Sequence, residues 1–299
     1  MTDAAVDQAE GLRRIFGAAR PTVVTFLSGR GAVGKTSVVV SVGAALAESG
    51  REVLLVDETA TPRSIGAALG VDARADLLEA VRSDRAPAGV VCAARMRLLP
   101  VSRVTQRLAS FDDLQRDRCE ARVRDAVAAA DFVLVDAPSG ALGSFSAWGA
   151  ANQHVVVVLS RSEAAITDAY SLVKRVVAEC GERVFHVLVN RVGPPAEARR
   201  IFDNFAALAG ARLRAQAVFA GHVSADDKLW QARELGQPVT SAFPASKPAQ
   251  EFRAIAAVLA GFPVPRNEVD PALEYAQRVT LRACPPVRPT VPSMHRMPR

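Results

Sequence analysis

Residues 22–36, TVVTFLSGRGAVGKT, constrain the fold of this 299-residue chain more than any other stretch. The first six residues form a β-branched, apolar run, which predicts a strand buried on both faces. The loop that follows fits the pattern G-x-x-x-x-G-K-[ST]. An amphipathic segment from Thr36 to Ala47 then predicts a helix, which Gly50 is placed to end. A strand, a glycine loop and a helix in this order are what a phosphate-binding loop requires.

The loop itself carries the predicted nucleotide-binding groups. Its glycines let backbone N–H groups turn towards an anion, and the start of the helix adds a partial positive charge. The ammonium of Lys35 can reach the β- and γ-phosphates as a catalytic group, and the Thr36 hydroxyl can ligate Mg²⁺. The alternative is an accidental glycine loop in an ordinary βα unit. The predicted nucleotide-binding residues of this segment are Gly29, Arg30, Gly31, Ala32, Val33, Gly34, Lys35, Thr36 and Ser37.

Strand and helix patterns alternate along some 240 residues, which predicts an α/β fold with a mostly parallel, twisted sheet and helices on both faces. Further strands are predicted at residues 52–57, 97–100, 131–136, 154–159, 184–189 and 213–219. Further helices are predicted at residues 62–69, 76–81, 114–130, 196–208, 226–235 and 248–260, and one more follows a capping box at residues 160–163.

Polar residues close three of the predicted strands. Ligands of such sheets bind at the carboxyl ends of the strands, where Asp57, Asp136 and Asn190 fall. We predict that Asp136 and Asp57 hold Mg²⁺ together with Thr36, and that Asp57 also takes part in catalysis. Asn190 can read an adenine edge with its amide. The alternatives are a turn-capping role for the aspartates and an ordinary loop role for Asn190.

Composition limits the class of protein. The four cysteines are far apart and form no CxxC pair, so we expect neither disulfides nor zinc. No apolar run approaches the roughly 18 residues of a membrane span, and the polar start of the chain does not resemble a secretory signal. We therefore expect a cytoplasmic location. The net charge of +6 is scattered, and it permits contact with acidic lipid or nucleic acid without indicating either.

The P-loop with a basic residue two places after Ser28, the Asp-closed second strand and the Asp136-Ala137-Pro138 turn resemble the deviant Walker A ATPases of the MinD/ParA class. The resemblance covers residues 21–262. Residues 163–174, EAAITDAYSLVK, and 185–192, FHVLVNRV, look like the FlhG branch of that class, also called FleN or YlxH. By this resemblance Asn190 and Arg191 belong to the nucleotide site.

The start of the chain carries a further pattern of this branch. Residues 7–13 fit D-Q-A-x-x-L-R on a predicted helix, followed by a linker that ends at residue 20. In the branch, this arm docks on the signal-recognition-type GTPase FlhF and activates it. The alternative is a helix that packs on its own domain. The implied partner-binding residues are Asp7, Gln8, Ala9, Leu12 and Arg13.

The resemblance implies an ATP- and Mg²⁺-dependent switch that regulates flagellar number and placement. It also implies an ATP-dependent homodimer, a restraint on the flagellar master transcription activator and contact with flagellar switch-complex proteins. Such proteins act in the cytoplasm and at the inner membrane or cell pole, where a C-terminal helix binds lipid. Here residues 263–299 form a Pro/Arg-rich tail whose segment 270–281 is either such a helix or a solvated basic tail.

Four positions depart from the family pattern. Arg30 replaces the lysine that reaches across the dimer, and we expect its charge to act on the partner's phosphates. Ala32 replaces a glycine, and Ser224 replaces a proline in the adenine-side loop. Thr59 replaces a carboxylate that orients water, so we predict ATP binding with slow or partner-dependent hydrolysis.

Two other functions stay open. One is a ParA-like partition or cellulose-secretion ATPase with the same fold. The other is an interaction protein that has lost hydrolysis. The D-Q-A-x-x-L-R pattern favours the flagellar regulator, for which we expect no direct DNA binding.

Overall fold

The computed structural model describes residues 21–29, 33–59, 64–71, 76–83, 90–107, 110–138, 154–180 and 183–263. Several sequence predictions lie outside these residues: the N-terminal arm with its partner-binding positions, loop residues Arg30, Gly31 and Ala32, the helix start at Pro62, and the tail helix at 270–281. They stay predictions.

One eight-stranded sheet organises the described part of the chain, with the order β3-β4-β2-β5-β1-β6-β7-β8. Each neighbouring pair is parallel except β3 and β4, which are antiparallel. The predicted α/β architecture is therefore confirmed. The strands are β1 (Thr22–Leu27), β2 (Val53–Asp57), β3 (Val90–Ala93), β4 (Met96–Pro100), β5 (Phe132–Asp136), β6 (His154–Ser160), β7 (Val184–Val192) and β8 (Gln216–Ser224).

Helices cover both faces of this sheet. On one face, α1 and α10 pack on side chains such as Phe26, Leu55 and Val158. On the other face, two clusters pack β2 and β5 against α3–α5, and β6 and β7 against α6 and α7. The described helices are α1 (Lys35–Glu48), α2 (Ile65–Ala68), α3 (Leu77–Arg82), α4 (Ser102–Arg107), α5 (Asp113–Ala128), α6 (Glu163–Cys180), α7 (Pro195–Leu213), α8 (Asp227–Glu234), α9 (Val239–Ala242) and α10 (Lys247–Ala260).

The structure moves several predicted boundaries: the helix predicted at 196–208 ends at Leu213, and the strands predicted to end at 189 and 219 end at Val192 and Ser224. The predicted capping box began at Ser160, but this residue belongs to β6, and α6 is capped by the hydroxyl of Ser162, which accepts from the Ala165 amide at 3.2 Å. The strand predicted from residue 213 begins at Gln216, because α7 continues to Leu213 and ends with Arg214 in a left-handed conformation (φ 52°). The short elements β3, α4 and α9 were not predicted, since four to six residues show little periodicity.

The register of the strands positions the site. Asp57 of β2 lies opposite Asp136 of β5, and Ser160 of β6 lies opposite Asn190 of β7. All four residues are at the carboxyl ends of their strands, at one edge of the sheet. This edge is where the sequence placed the ligand.

Candidate functional site

The start of α1 is built to receive an anion. Gly34 is its N-cap residue and has a left-handed backbone (φ 83°, ψ 21°). A Cβ at this position would lie 2.6 Å from Nδ2 of Asn190, so both conformation and space require glycine. The first turn of α1 contains no acidic residue. Its N–H groups and the helix dipole therefore favour a phosphate group here.

Gly29, at the other end of the loop, is needed for packing. A Cβ there would lie 2.4 Å from Cβ of Asp168 and 2.8 Å from the Ala169 nitrogen in α6. The first loop glycine therefore lets the end of β1 pass directly against α6.

Lys35, Thr36 and Asp136 meet where α1 begins and β5 ends. Lys35 Nζ donates to Oδ1 of Asp136 and to the carbonyl oxygen of Ala137. The Thr36 hydroxyl donates to Oδ2 of Asp136 at 2.6 Å. Lys35 is 5% exposed and Asp136 is fully buried, so each charge depends on the other for compensation.

Asp57 is held differently from Asp136. Its Oδ1 accepts from the Thr59 amide at 2.9 Å and from the Thr59 hydroxyl at 2.5 Å, and its Oδ2 accepts from the Ile65 amide at 2.7 Å. Burial raises the pKa of Asp57 above its ordinary value. The hydrogen bonds from Thr59 and Ile65 oppose this rise, and the charge of Asp136 adds to it.

These groups fit Mg²⁺ of the kind that accompanies a nucleotide. Two carboxylates at the same register and a hydroxyl supply hard oxygen atoms, and a dication would relieve the repulsion between the carboxylates. Among the described residues, no three His, Cys, Asp or Glu side chains converge on a point where they could hold a metal. An ion held by these few oxygen atoms would complete its coordination with water and phosphate.

A cleft of about 1110 Å³ opens beside this centre. Its size matches small-molecule sites. One side consists of the start of α1 and the ends of β6 and β7, and the opposite side consists of α8 and the loop before it. The lining residues are Gly34, Ser37, Val38, Ser160, Arg161, Ser162, Asn190, Arg191, Ala225, Asp226, Asp227, Lys228, Leu229, Trp230, Gln231, Arg233 and Phe252.

Asn190 lines this cleft and has a buried acceptor atom. Its Nδ2 donates to the carbonyl oxygen of Val33 at 2.8 Å, which ties β7 to the P-loop. The side chain is buried, and its Oδ1 has no hydrogen-bond partner within the described ranges. A buried acceptor of this kind needs a donor, and a ligand can supply one. Arg191, which follows, also lines the cleft and has a left-handed backbone (φ 59°).

The structure thus divides the predicted site residues into two groups. Lys35, Thr36 and Asp136 form the phosphate and metal end, with Asp57 beside them. Gly34, Ser37, Asn190 and Arg191 line the cleft.

Sequence reasoning identified the loop before α8 through Ser224, but it missed the side chains of α8 that line the opposite wall of the cleft. Trp230 lies on α8, lines the cleft and is 66% exposed. Lys228 lies over the ring of Phe243 at 4.5 Å and donates to Gln231 at 2.8 Å. The chain has two tryptophans, and the position of one of them in the predicted helix at 226–235 was the sequence feature that could have pointed to this wall.

Within the part of the chain that the structure describes, no helix has the combination of length and apolar character that crossing a bilayer demands.

Comparison with known proteins agrees with this fold. Antiactivator FleN of Pseudomonas aeruginosa is 28% identical over 247 residues, which are 82% of this chain and 88% of that protein. Flagellum site-determining protein YlxH of Helicobacter pylori is 22% identical over 185 residues, 60% of this chain and 61% of that protein. The structure of Pyrococcus horikoshii MinD complexed with Mg-ADP superimposes with a TM-score of 0.57 at 22% identity, covering 81% of this chain and 98% of that one. Residues 24–239 match the CobQ/CobB/MinD/ParA nucleotide binding domain, which confirms the predicted resemblance, and the chain belongs to that family.

Proposed function

We propose that this protein is an ATP-binding switch of the MinD type that regulates flagellar number and placement. The observation that carries the nucleotide part is the convergence of Lys35, Thr36 and Asp136 beside the left-handed Gly34. The backbone of residues 29–34 and Lys35 would hold the phosphates. Thr36, Asp136 and Asp57 would hold Mg²⁺, which neutralises phosphate charge when it is bound.

The cleft supports adenine as the base. Among the described residues no donor reaches the buried acceptor Oδ1 of Asn190, and the exocyclic amine of adenine is a donor. The corresponding atom of guanine is a carbonyl oxygen, which would face Oδ1 without a hydrogen bond. We therefore expect this site to prefer ATP over GTP.

The flagellar part of the proposal is supported by two relatives. FleN is named an antiactivator and YlxH a flagellum site-determining protein. By analogy, this chain would restrain the flagellar master transcription activator and contact switch-complex proteins. It would form a homodimer on ATP and act in the cytoplasm, with peripheral contact at the inner membrane or cell pole. Asp7, Gln8, Ala9, Leu12 and Arg13 would dock on the FlhF-type GTPase and stimulate it.

Slow hydrolysis is part of the same proposal. The Thr59 hydroxyl, at the position of the water-orienting carboxylate, donates to Asp57 at 2.5 Å and carries no negative charge with which to orient or deprotonate water. Arg30 would act on the partner's phosphates. We expect Thr59→Asp to raise ATP turnover, because removal of such a group typically lowers rates by about 10²–10⁴-fold. The same observation favours the second candidate, an interaction protein that binds ATP without hydrolysing it. Unchanged turnover in Thr59→Asp would favour this candidate.

Two measurements test the proposal. Calorimetry with MgATP should show binding by the wild type and none by Lys35→Ala. A peptide of residues 1–20 should stimulate GTP turnover by a flagellar signal-recognition-type GTPase, and the same peptide with Gln8→Ala and Leu12→Ala should not. Absence of MgATP binding would contradict the nucleotide switch. Absence of stimulation, when an arm of known activity works in the same assay, would contradict the GTPase partner.

A further inference from the structure

Helix α10, which packs on one face of the sheet, forms hydrogen bonds with the end of β8 next to the base side of the cleft. The carboxylate of Glu251 accepts from the Ser224 hydroxyl at 2.6 Å through Oε1 and from the Ser224 amide at 2.7 Å through Oε2. Its side chain is only 13% exposed. Two short hydrogen bonds to one charged group fix both distance and orientation, so Ser224 has little freedom relative to α10.

A second contact brings β8 close to α10 at the same place. Gly221 has φ +134°, and a Cβ there would lie 2.7 Å from Cγ1 of Ile255. Glycine therefore lets the last third of β8 lie directly against α10. Lys247 Nζ lies 3.9 Å from Glu251 Oε1 and partly offsets the carboxylate charge. His222 Nε2 lies 3.6 Å from the same oxygen.

Ser224 is the last residue of β8, and the chain continues directly into the cleft wall. The Ala225 amide donates to the Val192 carbonyl at 2.8 Å, and Asp226 caps α8 by accepting from the Lys228 amide at 2.8 Å. Both residues line the cleft, as does Trp230 one turn later. The position of Ser224 therefore sets where this wall begins.

We propose that Glu251 is a positioning residue for the nucleobase: through Ser224 it holds the wall of residues 225–231 at the distance from Asn190 that a purine requires. This role rests on the proposed nucleotide switch. It is confined to the base, because Lys35, Thr36 and Asp136 lie at the phosphate end and not in this wall. The family pattern has a proline at the position of Ser224. The hydrogen bonds between Ser224 and Glu251 restrict the backbone before α8, as a proline there would.

The test compares three probes, each with Mg²⁺: ATP, UTP and inorganic tripolyphosphate, measured by competition against labelled ATP. Glu251→Ala removes both acceptors. We expect it to weaken ATP binding about tenfold, the scale of one or two hydrogen bonds, and to reduce the preference for ATP over UTP. Binding of tripolyphosphate should stay unchanged, which also shows that the variant is folded.

Three other variants sharpen the result. Glu251→Gln keeps one oxygen acceptor and gains an amide that can donate to the Ser224 hydroxyl. It should therefore lose less ATP affinity than Glu251→Ala. Ser224→Ala should show a smaller loss of the same kind, and the double variant with Glu251→Ala should be no worse than Glu251→Ala alone. Arg253→Gln is the matched control, because Arg253 lies two residues along α10 and bonds to Glu48, Pro244 and Thr240 instead.

The outcomes separate the two proposals. If wild-type protein binds none of the three probes, the nucleotide switch fails and this proposal fails with it. Suppose that the wild type prefers ATP over UTP. If Glu251→Ala keeps this preference, or if it weakens ATP and tripolyphosphate binding equally, the positioning role of Glu251 is contradicted while the nucleotide switch stands. If Glu251→Ala does not fold, Ser224→Ala decides by the same comparison.

Discussion

Asp57 and Asp136 lie opposite each other in neighbouring parallel strands, yet their carboxylates accept hydrogen bonds from different parts of the chain. Lys35 and Thr36 bind Asp136 from the P-loop helix, whereas Thr59 and Ile65 donate to Asp57 from the chain that follows it. The first carboxylate is therefore coupled to the phosphate loop. Among the described residues no cation pairs with the second carboxylate, and a bound dication would relieve its repulsion from Asp136.

Lys35→Ala should lose stability as well as nucleotide binding. It leaves the buried Asp136 carboxylate without its cation, a change that costs about 3–5 kcal/mol in buried pairs. The double variant Lys35→Ala/Asp136→Asn removes both charges, so it should regain much of the free energy of unfolding in urea. It should still bind no MgATP by calorimetry. Equal stability of the single variant and the wild type would contradict the mutual dependence of this pair.

The raised pKa of Asp57 predicts a pH dependence. Because the folded state holds this proton more tightly than the unfolded state, Asp57 favours folding most below its ordinary pKa of 3.8. That contribution is lost as the pH rises through the folded-state pKa. Relative to Asp57→Asn, the wild type should thus lose unfolding free energy from pH 4 upwards, by at most about 1.4 kcal/mol per pH unit. Urea unfolding at several pH values measures this difference, and a difference that grows in favour of the wild type would contradict it.

Gly34→Ala should damage the site much more than a comparable substitution elsewhere. Gly50 is the matched control, because it also has a positive φ, of 90°, but a Cβ there would have no atom within 4 Å. Gly50→Ala should cost only the backbone strain of about 1 kcal/mol. Gly34→Ala adds a contact of 2.6 Å with Asn190 and should also abolish MgATP binding. Equal unfolding free energies and equal binding in the two variants would show that the Asn190 contact has no consequence.

His186 predicts a second pH effect, at the opposite end of the sheet. Its ring packs against His154 and Phe262, with centroid distances of 5.7 Å and 4.1 Å. Burial, together with the nearby His154, lowers the pKa of His186 from 6.5 to about 4. His186 therefore binds a proton at a higher pH in the unfolded state than in the folded state. The free energy of unfolding falls as the pH drops from 6.5 towards 4.

His186→Phe keeps an aromatic ring and removes this proton. Its unfolding free energy should fall less between pH 7 and pH 5 than that of the wild type. The difference should stay below about 1.4 kcal/mol per pH unit, because the half-buried ring is partly screened by solvent. Parallel pH profiles of the two proteins would contradict this prediction.

The parallel α/β architecture, the P-loop pattern and the edge of the sheet where ligands of such folds bind could be predicted from the residues alone. These features are encoded by neighbouring residues, because apolar periodicity sets strands and helices and glycine sets the turn of the loop. The polar residues that end β2, β5 and β7 could be placed at one edge because parallel strands share that edge.

The hydrogen-bond partners of those side chains could not be predicted before the fold was known. Lys35 finds Asp136 about a hundred residues away, Asn190 turns its amide towards Val33, and Glu251 reaches Ser224 from another helix. Such pairings depend on strand order and helix packing, which bring distant positions to within 3 Å and leave no local pattern in the chain. Thr59 differs from these pairs, because it bonds to Asp57 only two residues away, in a turn that the sequence permits but does not require.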